Sequence, residues 1–193
     1  AGGVNLKACL AATKKVIADQ KIAGVRIGIV EGDDILERLS ELIASGEKFS
    51  NLDSGEGIEK VRDRLTSANV YIGAKSIADA LAQGADIVIV GRCTDPTLAV
   101  APLVHEFGWA MDDYDKLAAA TVMGHILECG PQCTGGNFTH WRQVPDLARI
   151  GYPIGEAGAD GSFVITKHRG TGGLISVETV TSQLLYELGD PLN

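Results

Sequence analysis

Residues 84–96, with the sequence GADIVIVGRCTDP, decide the fold. The apolar and largely β-branched run Asp86–Val90 is typical of a strand that is buried on both faces. Gly91–Asp95 closes this strand, and Pro96 suits the first turn of a helix that the spacing extends to Phe107. A buried strand that leads through a short loop into a helix is the unit from which α/β folds are built.

The preceding segments repeat this pattern. Asn69–Ala74 is predicted as a short strand and Ser76–Gln83 as a short helix. Val25–Val30 is predicted as a further buried strand, and Val4–Gln20 as an amphipathic helix with Asn5 as its cap. Alternating strands and helices predict a largely parallel sheet flanked by helices, which is a Rossmann-like, doubly wound α/β fold. The chain lacks the Gly-x-Gly-x-x-Gly dinucleotide fingerprint.

The rest of the chain continues this alternation. Helical spacing predicts helices over 34–45, 58–67, 114–130 and 174–188, and alternation predicts a strand over 162–166. The length of 193 residues suits a single α/β domain over residues 1–193.

Composition and charge exclude several classes of protein. Hydrophobic residues make up 45% and charged residues 22%, which excludes a disordered chain. The net charge of −8 argues against a nucleic-acid partner, because phosphate binding needs a basic surface. Apolar stretches stay below the roughly 18 residues that a membrane span needs. Four cysteines without zinc or disulfide spacing, and no secretory signal pattern, predict reduced thiols in the cytoplasm.

Glycine contributes 24 residues, and much of it lies in loops that follow predicted strands. In open α/β sheets, ligands bind outside the carboxyl ends of the strands, where such loops meet. Glycine in these loops either only allows the backbone conformation of a turn or also allows backbone amides to approach a ligand. We expect the loop of Thr134, Gly135, Gly136 and Asn137 to join these loops as a ligand-binding segment.

Segment 167–173, with the sequence KHRGTGG, combines cations with glycine amides just before a predicted helix. Such a combination favours a bound phosphate or carboxylate, and the alternative is a solvated turn. The lysine precedes the glycines, so the segment is not a Walker loop. The residues predicted to bind a ligand here are Lys167, His168, Gly170, Thr171, Gly172 and Gly173.

Candidate catalytic groups accompany these loops. Arg92 follows a buried strand, where its side chain can bind either the carboxylate of a ligand or the carboxylate of Asp95. In the alternative interpretation, Asp95 only caps the next helix. Glu128 is a candidate general acid or base. We predict Arg92, Asp95, Glu128 and Lys167 as the catalytic residues.

His125, Cys129 and Cys133 follow one another at intervals of four residues, which raises the question of a metal site. Pro131 breaks this helix face, and three ligands on one helix cannot surround an ion unaided. We expect a buried hydrogen bond between His125 and Glu128 instead. We predict no metal and no cofactor, with coenzyme A entering only as part of a thioester substrate.

Six stretches carry a resemblance to a known family: Asn69–Ala74, Gly84–Asp95, His105–Asp113, Gly124–Asn137, Val144–Ile154 and Asp160–Pro191. They resemble the acyclic terpene utilisation protein family over essentially the whole chain. Family members are longer, so the resemblance implies that the chain corresponds to a middle section of the family domain and that Ala1–Asn5 follows a strand absent here. The loop residues that match the family pattern are Arg92, Asp95, Glu128, Gly135, Gly136, Lys167, Gly170, Gly172 and Gly173. Cys93, Cys133 and Arg169 are particular to this sequence.

The resemblance implies a role in the catabolism of acyclic terpenes and related branched acids, beside biotin-dependent acyl-CoA carboxylases. The expected function is a hydratase or other hydro-lyase that acts on a carboxylate or a CoA thioester. Arg92 and Lys167 would hold the carboxylate or polarise the thioester carbonyl, and Asp95 or Glu128 would move the proton. The alternative is a non-catalytic ligand-binding or assembly module for an acyl-CoA carboxylase. We also expect a homo-oligomer, with neither nucleic acid nor membrane as a partner.

Overall fold

The computed structural model describes residues 5–188, which form two compact units. Unit 1 extends to Thr94, and unit 2 begins at Asp95. The boundary between the units lies within the loop Gly91–Asp95. The strand before this loop therefore belongs to unit 1, and the helix after it belongs to unit 2.

Unit 1 is built on two parallel strands, β1 (Ile27–Val30) and β2 (Ile87–Val90), which pair in register. Helix α1 lines a groove with Ile27 and Ile29, whereas Gly28 faces Ala80 of helix α3. Because successive strand residues face opposite sides, the two helices cover opposite faces of the pair. The helices of unit 1 are α1 (Leu6–Asp19), α2 (Leu39–Ala44) and α3 (Ala74–Ala82).

Local signals explain the ends of these helices. The side chain of Asn5 accepts a hydrogen bond from the Ala8 amide at 2.9 Å, which confirms the predicted cap of α1. Gly84 follows α3 with a φ angle of +87°, the left-handed conformation that ends many helices. Val90, at the end of β2, is among the most deeply buried side chains of the protein.

Three predicted segments of unit 1 differ in the structure. Residues 69–74 form isolated bridges to neighbouring loops instead of a strand, because Asn69 pairs with Asp34 and Ile72 with Cys93. Residues 58–67 form two short 3-10 turns, and the predicted helix over 34–45 is reduced to α2. No side chain of 58–67 is buried, so little packing stabilises a longer helix there, whereas Ile35 and Leu39 of the other segment are buried.

Unit 2 packs three helices with an antiparallel hairpin. Pro96 lies against Gly124, which brings the start of α4 beside the C-terminal half of α5. Gly155 of the hairpin lies against Met123 and Leu127 of α5. The elements are α4 (Thr97–Phe107), α5 (Tyr114–Glu128), β3 (Pro153–Ala157), β4 (Phe163–Lys167) and α6 (Val177–Glu187).

The two tryptophans lie in unit 2 in contrasting surroundings. Trp109 is buried, donates from Nε1 to the Ala159 carbonyl oxygen at 2.9 Å, and stacks on Phe107. Trp141 is 51% exposed, and the Arg142 guanidinium lies 4.7 Å from its ring centroid.

The structure confirms a mixed α/β fold with one parallel strand pair. The larger parallel sheet stays a prediction, because the second sheet within residues 5–188 is the antiparallel pair of β3 and β4. Across the same residues, every helix is too short or too polar to cross a bilayer. All four cysteines lie within the described residues, and none of them forms a disulfide.

Candidate functional site

Lys167 ends β4, and its side chain is tethered to the turn that follows. Its Nζ donates to the Thr171 carbonyl oxygen at 3.1 Å, and the Thr171 hydroxyl donates to the His168 carbonyl oxygen at 2.8 Å. Lys167 is half-buried, whereas His168, Arg169 and Gly170 are exposed. The predicted cationic segment therefore consists of one fixed ammonium group beside an exposed basic turn.

Gly172 and Gly173 hold two loops together. The Gly172 amide donates to the Arg149 carbonyl oxygen and the Gly173 amide to that of Pro145, both at 2.7 Å. A Cβ on Gly172 would overlap the backbone of Asp146. Because both amides already donate hydrogen bonds within unit 2, a ligand at this segment would contact the basic side chains and not these two amides.

The loop of Thr134, Gly135, Gly136 and Asn137 reaches from the core of unit 2 to its surface. Thr134 is fully buried, and its hydroxyl lies 3.0 Å from the Pro131 carbonyl oxygen and 2.9 Å from that of Gly151. Gly135 is buried, Asn137 is half-buried, and Gly136 is exposed. Thr134 thus fixes the loop, and Gly136 and Asn137 are the members that a ligand can reach.

The C-terminal end of α5 contains Glu128, which is exposed, and Cys129, which is half-buried. The Cys129 thiol lies 2.5 Å from Glu128 Oε2 and 3.3 Å from Glu187 Oε1. The hydrogen bond to Glu128, burial and Glu187 together raise the pKa of Cys129 to about 12. The main physical cause is that the protonated thiol donates a hydrogen bond to Glu128, which a thiolate could not do; burial and the negative charge of the two carboxylates also oppose the thiolate.

The expected hydrogen bond between His125 and Glu128 does not form. His125 Nδ1 lies 3.1 Å from the Thr121 carbonyl oxygen, one turn earlier in α5. Glu128 instead accepts from the thiol of the next residue, Cys129. The imidazole therefore contacts a backbone carbonyl group of its own helix, and Glu128 stays exposed to solvent.

The structure adds Tyr152, which sequence reasoning missed. Its ring packs so closely on Gly130 that a Cβ there would overlap it, and its side chain is 65% exposed. The next residue, Pro153, pairs with Lys167 across the hairpin. Tyr152 thus lies between the end of α5 and the Lys167 end of the hairpin. The sequence signal is slight: a tyrosine between a glycine and a proline.

Asp95 is exposed at the start of unit 2, directly before Pro96. The next residue, Pro96, lies against Gly124 in the C-terminal half of α5. Helix α4 begins at Thr97, with Pro96 at the cap position instead of the predicted first helical position.

Arg92 belongs to unit 1, where its side chain is exposed and its backbone is fixed by Asp33. The buried Asp33 carboxylate accepts from the Arg92 amide at 2.7 Å and from Asn69 Nδ2 at 3.0 Å. A Cβ on Gly91 would overlap this carboxylate, which explains the glycine after β2. The grouping of Arg92 with Asp95, Glu128 and Lys167 stays a prediction.

Comparison with known proteins supports the resemblance found in the sequence. The family described as "Acyclic terpene utilisation family protein AtuA" matches residues 1–193, the whole chain. No curated protein and no solved structure matches the chain.

Proposed function

The chain belongs to the acyclic terpene utilisation family, and we propose that it is an enzyme of branched-chain or terpenoid acid catabolism. In this proposal it hydrates or dehydrates a carboxylic acid or its CoA thioester. The observation that carries the proposal is the tethered Lys167, whose ammonium group is fixed by the Thr171 carbonyl oxygen at 3.1 Å. Pro153 pairs with Lys167 across the hairpin, and the ring of Tyr152, the residue before Pro153, packs on Gly130, two residues after Glu128.

A fixed cation and an exposed carboxylate are the two groups that hydration requires. Lys167 polarises the carbonyl, so that negative charge develops on its oxygen as water attacks the β-carbon of a conjugated double bond. Glu128 or Asp95 takes the proton from that water and returns a proton to the α-carbon. Water is thereby added across the double bond, and the reverse sequence is dehydration.

The remaining predicted residues would bind the ligand around these groups. His168 and Arg169 are exposed beside Lys167 and provide positive charge for a carboxylate or for coenzyme A phosphates. Gly136 and Asn137 are the accessible members of their loop.

The test is an assay of the full chain on 3-methyl-branched 2-enoyl-CoA thioesters and on the matching 3-hydroxyacyl-CoA thioesters. We expect Lys167→Met to lower kcat/KM by about 100-fold or more. Either Glu128→Gln or Asp95→Asn should lower kcat by about 100-fold, which identifies the proton-transfer group. The matched control is Lys15→Met, since Lys15 makes an exposed ion pair with Asp19 in unit 1. Turnover that survives Lys167→Met would contradict the proposal.

The same experiment separates the alternative, a non-catalytic module that serves an acyl-CoA carboxylase. A module would bind a CoA thioester without converting it, and Lys167→Met would weaken that binding. Sedimentation of the chain alone and with the carboxylase subunits distinguishes a homo-oligomer from a mixed assembly. A single species that turns over substrate unaided argues for the enzyme.

A further inference from the structure

Three side chains of metal-binding chemistry meet where α5 and α6 end. They are Glu128, Cys129 and Glu187, and one ligand atom of each lies within 4.8 Å of the others. The thiol lies between the two carboxylates, 2.5 Å from a Glu128 oxygen and 3.3 Å from a Glu187 oxygen. The cluster draws on two helices, which removes the geometric objection to ligands on a single helix.

Gln183, one turn before Glu187, is a second observation that points to this cluster. The side chain is fully buried, and its Nε2 donates to Glu187 Oε1 at 2.9 Å and to the His125 carbonyl oxygen at 3.2 Å. Its own Oε1 is buried and has no hydrogen-bond partner among the described residues. Such an oxygen costs about 1–3 kcal/mol, so its retention needs a reason. An amide that orients a carboxylate ligand is a usual partner around metal ions.

We propose that Glu128, Cys129 and Glu187 bind a divalent metal ion of the zinc class. Zinc accepts thiolate and carboxylate ligands at about 2.3 and 2.0–2.2 Å. Binding replaces the proton of the thiol: the S–H bond breaks, a metal–sulfur bond forms, and one proton leaves for solvent. Two carboxylates and one thiolate then face a doubly charged cation, and a fourth position stays open to water.

The thiol decides which ions fit. Thiolate ligands favour zinc, cobalt and cadmium, whereas magnesium and calcium prefer sites made entirely of oxygen. The two carboxylates beside the thiol add negative charge that attracts a cation. Magnesium and calcium should therefore compete poorly for this cluster.

Metal binding can be measured without substrate, so this inference does not rest on the proposed reaction. Where an ion occupies the cluster, Glu128 serves as its ligand, and Asp95 is left as the carboxylate for proton transfer. Loss of turnover on Lys167→Met with unchanged metal binding would separate the two proposals.

The test is a titration of the reduced, chelator-treated full chain with cobalt or cadmium. We expect a thiolate-to-metal charge-transfer band that saturates at one equivalent, with one proton released per ion in weakly buffered solution. Excess magnesium should leave the band in place.

Three variants and a control decide the outcome. Cys129→Ser should abolish the band, and Glu187→Gln should weaken binding by about 10-fold or more while keeping the band. Gln183→Leu should weaken binding to a similar extent, with far-ultraviolet circular dichroism reporting that each variant is folded. Cys9→Ser, a change at the other half-buried thiol, is the matched control and should leave the titration unchanged. No band in the parent chain, or a band that persists in Cys129→Ser, would overturn the inference.

Discussion

In unit 1, Gly32 and Gly46 have φ angles of +109° and +100°, and a Cβ at either position would meet nothing within 4 Å. In unit 2, a Cβ on Gly172 or Gly173 would overlap the carbonyl oxygen of Asp146 or Ile150. The first pair serves the backbone conformation of turns, and the second pair allows backbone segments to touch. Glycine abundance alone therefore does not distinguish a turn from an interlocked loop.

The two units also fix their loops by different groups. In unit 1, the side chain of Asp33 holds the Arg92 amide and Asn69. In unit 2, backbone hydrogen bonds of 2.7 Å join Gly172 to Arg149 and Gly173 to Pro145. The loop at Arg92 should therefore depend on one carboxylate, and the loop at Gly172 and Gly173 on the absence of side chains at these two positions.

The largest expected effect comes from Gly172→Ala. The added methyl group meets Asp146 backbone atoms that cannot rotate away, so we expect a loss of about 3 kcal/mol or more in the free energy of unfolding. Gly46→Ala is the matched control, because its methyl group is unopposed and only the left-handed φ is unfavourable, at about 1–2 kcal/mol. Urea unfolding of both variants provides the measurement. Equal losses would remove the distinction between the two classes of glycine.

Asp33→Ala is expected to have the next largest effect. It leaves the Arg92 amide and Asn69 Nδ2 without their acceptor, which should cost about 2–3 kcal/mol. Asp34→Ala removes the neighbouring exposed carboxylate, which accepts only from the Leu36 amide, and should cost about 1 kcal/mol or less. Thermal unfolding of the two variants side by side compares them. A milder loss for Asp33→Ala than for Asp34→Ala would show that this carboxylate does not hold unit 1 together.

The effect that is expected to be smallest up to pH 10 is a pH dependence from Cys133, a fully buried thiol of unit 2. Burial raises the pKa of Cys133 from 9.0 to about 11. Above pH 9 the unfolded chain loses this proton first, so stability should fall by as much as about 1.4 kcal/mol per pH unit up to about pH 11. Urea unfolding from pH 7 to 11 measures this slope, and Cys133→Ala should have a shallower one. Identical slopes would mean that the thiol ionises equally in both states.

Local patterns allowed much of the fold to be predicted. Spacing and caps located α1, α3, α5 and both parallel strands, because periodic burial and end signals lie within each segment. The bridges at Asn69 and Ile72 were not predicted, because they depend on residues from distant parts of the chain.

The candidate site shows the same limit. The chemistry of Lys167 and Glu128 was visible in the sequence, but Glu187 was not, because only the packing of α6 against α5 brings it to Cys129. Gly172 and Gly173 matched a ligand-binding pattern, although their amides bind the backbone of unit 2. A pattern identifies which groups are present, but the partner of each amide depends on tertiary contacts.

Both tryptophans of the chain lie in unit 2, one buried against Phe107 and one exposed beside Arg142. Intrinsic fluorescence excited at the indole band therefore reports on unit 2 alone, and the emission of Trp109 should shift to longer wavelength as its surroundings become wet. Unit 1 has no indole, so this signal does not report on it. The placement of the two rings thus allows the unfolding of unit 2 to be followed separately, without any label.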